Sequence, residues 1–235
     1  MKACKLQMVR VCFFLAALAA AHGQNGTIGI DFGEASDKFG ALNRTTAALV
    51  DVTGKVIVLH ANQKEGFPNV VAGGEARFPS DTTNHVSEFA VFGGLEFRAT
   101  QAFTAGFHVQ VRKILMPSST IQGQLFNREN LELLEVPLFL EYKFGKTRHV
   151  FVQAEGAPEF RPRFRTSRAG PSPLPNPNLD HAYFIRGSLG YNFGKWYAKG
   201  TYQTRYFKFG SAFGNPSGLY NWRSDFATGG VGLNF

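Results

Sequence analysis

Cysteine is nearly missing from this 235-residue sequence, and the two that occur, Cys4 and Cys12, both lie in its first dozen positions. Long hydrophobic runs are missing too. The longest, Val11 to Ala21, spans eleven residues, where a helix crossing a bilayer needs about 18 to 20. Mean hydropathy is −0.13, so a multi-span helical membrane protein is excluded. Charge is sparse at 18 %, against about 25 % in an ordinary globular chain. No convincing 3.6-residue period runs through the sequence, so amphipathic helices are not expected. What is abundant is aromatic: 24 Phe, 7 Tyr and 2 Trp among 44 % hydrophobic residues. That composition excludes a disordered or collagen-like chain.

The head of the chain sets the expected compartment. Lys2, Lys5 and Arg10 precede the apolar stretch, and Ala21-His22-Gly23 supplies small residues before a cleavage point. This is the pattern of a secretory signal over residues 1–23. Cys12 follows Val9-Arg10-Val11 rather than small apolar residues, which argues against lipidation. Removal of the signal leaves 22 basic against 17 acidic residues, a balance of +5. It also takes away both cysteines, so the exported chain has no disulfide to form. A basic balance suits anionic lipid or nucleic acid equally. Export removes nucleic acid as a partner.

From Val70 onward the residues alternate with period two between turn signals, which predicts strands. Val70, Ala72, Gly74, Ala76 and Phe78 oppose Glu75 and Arg77; Phe89, Val91, Gly93, Leu95 and Phe97 oppose Glu88, Glu96 and Arg98. The pattern continues with Phe103 to Val111 against His108, Gln110 and Arg112, and with Leu134 to Phe144 against Glu135, Glu141 and Lys143. Val150, Val152, Ala154 and Phe160 then oppose Gln153, Glu155, Glu159 and Arg161. Tyr183 to Phe193 oppose Arg186 and Ser188, Trp196 to Tyr206 oppose Lys199, Gln203 and Arg205, and Ala227 to Phe235 oppose Thr228 and Asn234. These eight strands are long enough to cross a bilayer at a tilt.

Connections alternate between short and long, as in an up-and-down barrel with turns at one mouth and loops at the other. On that topology Phe97, Phe103, Tyr142, Phe144, Tyr191, Phe193, Trp196 and Phe235 form an outward girdle at the turn end. Phe78, Phe89, Phe160, Tyr183 and Tyr206 form another at the loop end. Aromatic belts at two interfaces are a membrane signature.

With the signal segment, the alternating strands and the closing Val231-Gly232-Leu233-Asn234-Phe235, residues 68–235 resemble the small bacterial outer-membrane β-barrels of the outer membrane protein A type. The resemblance implies an all-β, antiparallel, up-and-down transmembrane barrel in the bacterial outer membrane, working as a monomer without a cofactor. It also implies contacts with outer-membrane lipid and lipopolysaccharide, and recognition of Phe235, Leu233 and Val231 by the barrel-assembly machinery. Pro137 is a departure, since a mid-strand proline demands a bulge or an unpaired carbonyl. Residues 24–67 are another: Thr27 to Phe32 reads as a strand, and Leu49 to Val52 with Lys55 to Leu59 reads as a hairpin about Thr53-Gly54. The barrel then has eight strands with an extension, or ten.

Inward-facing charge is the main candidate feature: Glu75, Glu96, Glu135, Glu141, Glu155 and Glu159 against Arg77, Arg98, Arg112, Lys143, Arg161, Arg186, Lys199 and Arg205. Charges enclosed in so narrow a cylinder must pair or be hydrated, so a salt-bridged plug is expected, with a narrow porin-like channel as the alternative. Glu155 with Glu159, or Glu135 with Glu141, has the composition of an acid–base pair, but basic neighbours make ion pairing the expectation. The histidines are not spaced as metal ligands. His181 with Ser211 or Ser224 lacks a G-x-S-x-G context, so a lipid-modifying enzyme is not expected, nor catalysis of any kind. Gly229-Gly230-Val231-Gly232 leads into a strand, not a phosphate-binding helix. Arg161, Arg163, Arg165 and Arg168 run into Pro171, Pro173, Pro175 and Pro177, a basic arm on a stiff loop suited to phosphate or carboxylate. The role expected is structural or adhesive.

Overall fold

The computed structural model describes residues 25–40, 43–60, 67–82, 84–115, 119–121, 124–126, 129–166, 179–209 and 221–235. The signal segment 1–23, Arg168 and the proline run at 171–177 lie outside the described residues. The described residues form thirteen strands: β1 (Gly26–Phe39), β2 (Thr45–Leu59), β3 (Asn69–Pro79), β4 (Ser87–Arg98), β5 (Phe103–Leu115), β6 (Ser119–Ile121), β7 (Gln124–Phe126), β8 (Glu129–Glu135), β9 (Leu138–Phe144), β10 (Val150–Thr166), β11 (Leu179–Asn192), β12 (Trp196–Phe209) and β13 (Trp222–Asn234). β6 and β7 pair only with each other. β8 and β9 follow one another along a single line between β5 and β10. The wall is therefore a barrel of ten antiparallel strands.

Closure comes from β1 and β13, whose register runs from Thr27 opposite Asn234 to Phe39 opposite Trp222. Beyond the ladder, Gly26 N–H donates to the Phe235 carbonyl at 2.8 Å and Phe235 N–H donates back at 2.9 Å. Residues 26–59 thus belong to the barrel and do not precede it, which moves its boundary back from residue 68 and settles the count at ten. β2 runs straight through Thr53-Gly54, correcting the expected hairpin there. Gly54 lies between Ile28 of β1 and Gly74 of β3, and a strand paired on both sides is held extended. The connections after β3 follow the expected alternation, but the first at the loop rim, residues 40–44, is shorter than residues 60–68, the first of the turns at the terminal rim. Two of those turns hold glycine in the left-handed region, Gly145 at φ 75° and Gly194 at φ 86°, where a side chain would be strained.

Pro137 requires no bulge of its own strand. The register stays in step on both sides, with Phe107 opposite Leu138 and Gln110 opposite Glu135. The Pro137 carbonyl accepts from His108 N–H at 3.0 Å, so only the reciprocal donor is missing. An irregularity appears instead on β10, between Phe160 and Arg163.

Outward positions carry the apolar side chains, with Phe97, Tyr142, Phe144, Tyr191, Phe193 and Trp196 exposed near the terminal rim and Tyr183 near the loop rim. Inward glycines let rings lie flat on the wall. A Cβ at Gly232 would meet the Tyr197 ring and stand 2.5 Å from the Ile28 carbonyl, while Gly187 faces open space. Gly232→Val is therefore expected to lower stability by about 1–3 kcal/mol through overpacking, and Gly187→Ala to leave it nearly unchanged. Urea unfolding in lipid vesicles checks both.

Candidate functional site

The lumen is layered, and the layers follow from which inward positions each strand supplies. Nearest the loop rim is an apolar cluster of Val86, Ile114, Leu131, Leu133, Ala182, Phe207 and Trp222, with Phe39 packed on it. The Phe39, Trp222 and Phe207 rings stack nearly parallel, with centroids 6.0 and 5.1 Å apart in turn. His85 and Val86 are pinned into this cap. His85 Nδ1 lies 2.8 Å from Asp37 Oδ2, and Trp222 Nε1 donates to Asp37 Oδ1 at 3.2 Å. All three side chains are fully buried, so this His–Asp pair ties His85 to β1.

Below the cap lies an ionic layer in which each arginine reaches several strands. Arg112 of β5 bonds Glu75 of β3 (3.2 Å), Glu88 of β4 (2.8 Å) and Glu135 of β8 (3.0 Å). From the opposite wall, Arg205 of β12 meets Glu135 (2.6 Å), Glu88 (3.7 Å) and Glu159 of β10. Arg77 of β3 reaches Asp51 of β2 (3.3 Å), Glu88 (3.0 Å) and Glu75 beside it. Its guanidinium also sits 3.7 Å from the centroid of Phe226, a cation–π contact. Arg186 of β11 closes the network with two bonds to Glu75, at 2.7 and 2.8 Å, one to Glu155 (3.3 Å) and one to Gln203 (2.8 Å). These pairings run across the lumen as much as between neighbouring strands.

Solvent distinguishes the two ends. Arg112 and Arg205 side chains are 1 % and 0 % exposed, whereas Arg186 retains 18 %. The terminal-rim half holds smaller, wetter pairs: Lys55 with Glu96 at 2.8 Å, Lys199 with Asp31 at 3.0 Å, and Lys143 with Glu141 at 3.2 Å. His108 stands between Glu96 (3.2 Å) and Glu155 (3.9 Å). Side-chain exposure thus falls from the terminal-rim half to the ionic layer, with Arg186 at the boundary.

Among the lumen residues named from the sequence, Glu75, Arg77, Arg112, Glu135, Glu155, Glu159, Arg186 and Arg205 come together in the ionic layer. Glu96, Glu141, Lys143 and Lys199 fall in the wetter half. Arg98 does not enter: it lies exposed at the terminal rim and bonds the Gln101 carbonyl at 3.4 Å, because it is the last residue of β4. The side chains of Arg161, Arg163 and Arg165 lie outside those described. Glu135 and Glu159 do meet, as cross-strand partners, while Glu155 meets Arg186. His181 lies exposed beside Asp180 at the loop rim. Asp51, Glu88, Asp31, Lys55, Asp37 and His85 were missing from the sequence-based network. Glu88 shares the inward parity of Glu96, and Asp51 alternates with Leu49 and Thr53, so a signal existed for both. Among the described residues no group of acidic, His or Cys side chains is arranged to hold a metal ion.

Fold and lumen together define a closed antiparallel β-barrel with an apolar outer wall and an ionic core. No protein-family model matches the chain, and no curated protein matches it in sequence. Among solved structures, the outer membrane protease OmpT of Escherichia coli is similar over 90 % of this chain and 97 % of its own, at 10 % identity and a TM-score of 0.49. The NanC porin is similar over 89 % and 98 %, at 12 % identity and a TM-score of 0.42. Neisserial surface protein A is similar over 89 % and 97 %, at 9 % identity and a TM-score of 0.35.

Removing one arginine strands the carboxylates it serves, and the cost scales with dryness. Arg112→Ala is expected to destabilise the barrel by roughly 3–5 kcal/mol, as for other broken buried pairs. Arg186→Ala is expected to cost clearly less, because Arg186 itself and its partner Glu155 retain solvent exposure and Glu75 keeps Arg77 and Arg112. Comparing urea midpoints of the two variants at equal slope checks the order.

Proposed function

We propose that this chain is a bacterial outer-membrane barrel with a sealed lumen, whose role at the envelope is structural or adhesive and involves no catalysis. The observation that carries this reading is the inverted polarity of the wall. Val, Leu, Ile and aromatic side chains face outward, and arginines and carboxylates face inward. A soluble carrier barrel would gain stability from the opposite arrangement, since burying apolar surface is the main favourable term in water. A closed barrel also satisfies its backbone in hydrocarbon without leaving an edge.

The longer connections at the loop rim, with the basic arm of Arg163, Arg165 and Arg168, are the surface proposed to meet lipopolysaccharide or an external ligand. Arginine forks match phosphate and carboxylate geometry. Val231, Leu233 and Phe235 are the proposed assembly signal, and the barrel works as a monomer without nucleic acid or cofactor. A narrow channel is the second reading, favoured by the solvent access of Arg186.

Cell fractionation and planar-bilayer recording test the proposal. The mature chain is expected in the outer-membrane fraction with heat-modifiable mobility; recovery in the soluble periplasm would overturn the location. Wild-type protein is expected to show little or no steady conductance, because the dry ionic layer and the aromatic cap lie beyond Arg186. A large, stable wild-type pore would replace the seal with the channel.

A further inference from the structure

Glu135 on β8 and Glu159 on β10 are direct cross-strand partners. Both point into the lumen and both are shielded from water. Two carboxylates so placed cannot both ionise without strong mutual repulsion. Their donors are also shared unequally. Glu135 receives Gln110 Nε2 and Arg112 Nε (3.0 Å) at Oε2, and Arg205 Nη1 (2.6 Å) at Oε1. Among the described side chains Glu159 receives only Arg205 Nη1 at Oε1, and its Oε2 is buried without a donor. Yet the two carboxyl groups are held side by side, because both Oε1 atoms take the same Arg205 Nη1. A carboxylate offers no hydrogen to a second carboxylate; a single proton supplies it.

The surrounding charge agrees. The groups facing this pair are Arg205 from β12, Arg112 from β5 and, beyond Arg205, Glu88 from β4. In the dry layer five carboxyls, Asp51, Glu75, Glu88, Glu135 and Glu159, stand against the guanidiniums of Arg77, Arg112, Arg205 and Arg186. Among the described side chains the acids are in excess even when Arg186 is counted wholly here, although it also serves Glu155. His108 is spent between Glu96 and Glu155 in the wetter half.

We propose that Glu159 is a proton-binding site: a neutral carboxylic acid that donates its proton to Glu135 and accepts from Arg205. The proton turns a repulsive pair into a hydrogen-bonded one and brings the sealing layer closer to neutrality. Nothing in this assignment depends on where in the cell the barrel resides.

Infrared spectroscopy of the full chain, folded in lipid vesicles at neutral pH, reads the proton directly. Wild type is expected to show a buried carboxylic-acid C=O band that Glu159→Gln removes. Glutamine is a neutral, similarly shaped donor, so Glu159→Gln is expected to fold and to keep the wild-type midpoint of heat-modified mobility. Glu135→Gln, which removes the anion that three donors address, is expected to lower that midpoint. Absence of a Glu159-dependent band overturns the proposal. So does a Glu159→Gln variant that fails to fold, or that loses as much stability as Glu135→Gln, because either marks Glu159 as a charged partner of Arg205.

Discussion

Everything in this molecule depends on β1 finding β13. A sheet of ten strands with open edges would leave two rows of backbone N–H and C=O groups unpaired. Pairing the first strand with the last removes both rows at once. It also turns simple alternation into a sorting rule. Once the sheet is a tube, every odd-or-even choice along a strand becomes a choice between inside and outside. The two backbone bonds between Gly26 and Phe235 extend that closure to the last residue of the wall.

Ten strands enclose more space than eight, which already leave only enough room for side chains. The extra width explains why the filling is arginine and glutamate. These long side chains span a lumen that valine or alanine would leave hollow, and each guanidinium carries five donors in a fixed fork. The arrangement costs more desolvation than an apolar core of equal volume. What it provides is a definite partner for every strand that contributes to the layer, from Asp51 on β2 to Arg205 on β12. The aromatic cap above needs no such pairing, and Asp37 and His85 within it satisfy one another and Trp222.

Much of this was legible in the sequence because period two is a robust signal when one face is uniformly apolar. β3 to β5 and β9 to β13 could be read residue by residue, including which way Arg112, Arg186 and Arg205 point. β1 and β2 were harder. Glu34, Ser36 and Lys38 interrupt the apolar outer face of β1, and Thr53-Gly54 imitates a turn that pairing on both sides overrides. Alternation says which face a side chain takes but not its height, so the link from Glu75 on β3 to Arg186 on β11 could not be foreseen. Trp222 was hidden for another reason: it opens its strand at the edge of a loop, where composition suggests solvent, and tertiary packing places it in the cap.

The unequal wetting of the lumen has an electrical meaning. Among the described residues the lumen is buried from the stacked rings down to the ionic layer and more exposed below Arg186, so the insulating part of the tube is shorter than the tube. A potential difference between the two mouths falls mainly across that short dielectric segment, where the guanidiniums of Arg77, Arg112 and Arg205 are fixed. Those three cations therefore sit in a field steeper than the barrel's length alone would give, gripped by carboxylates on facing walls that hold them still against it.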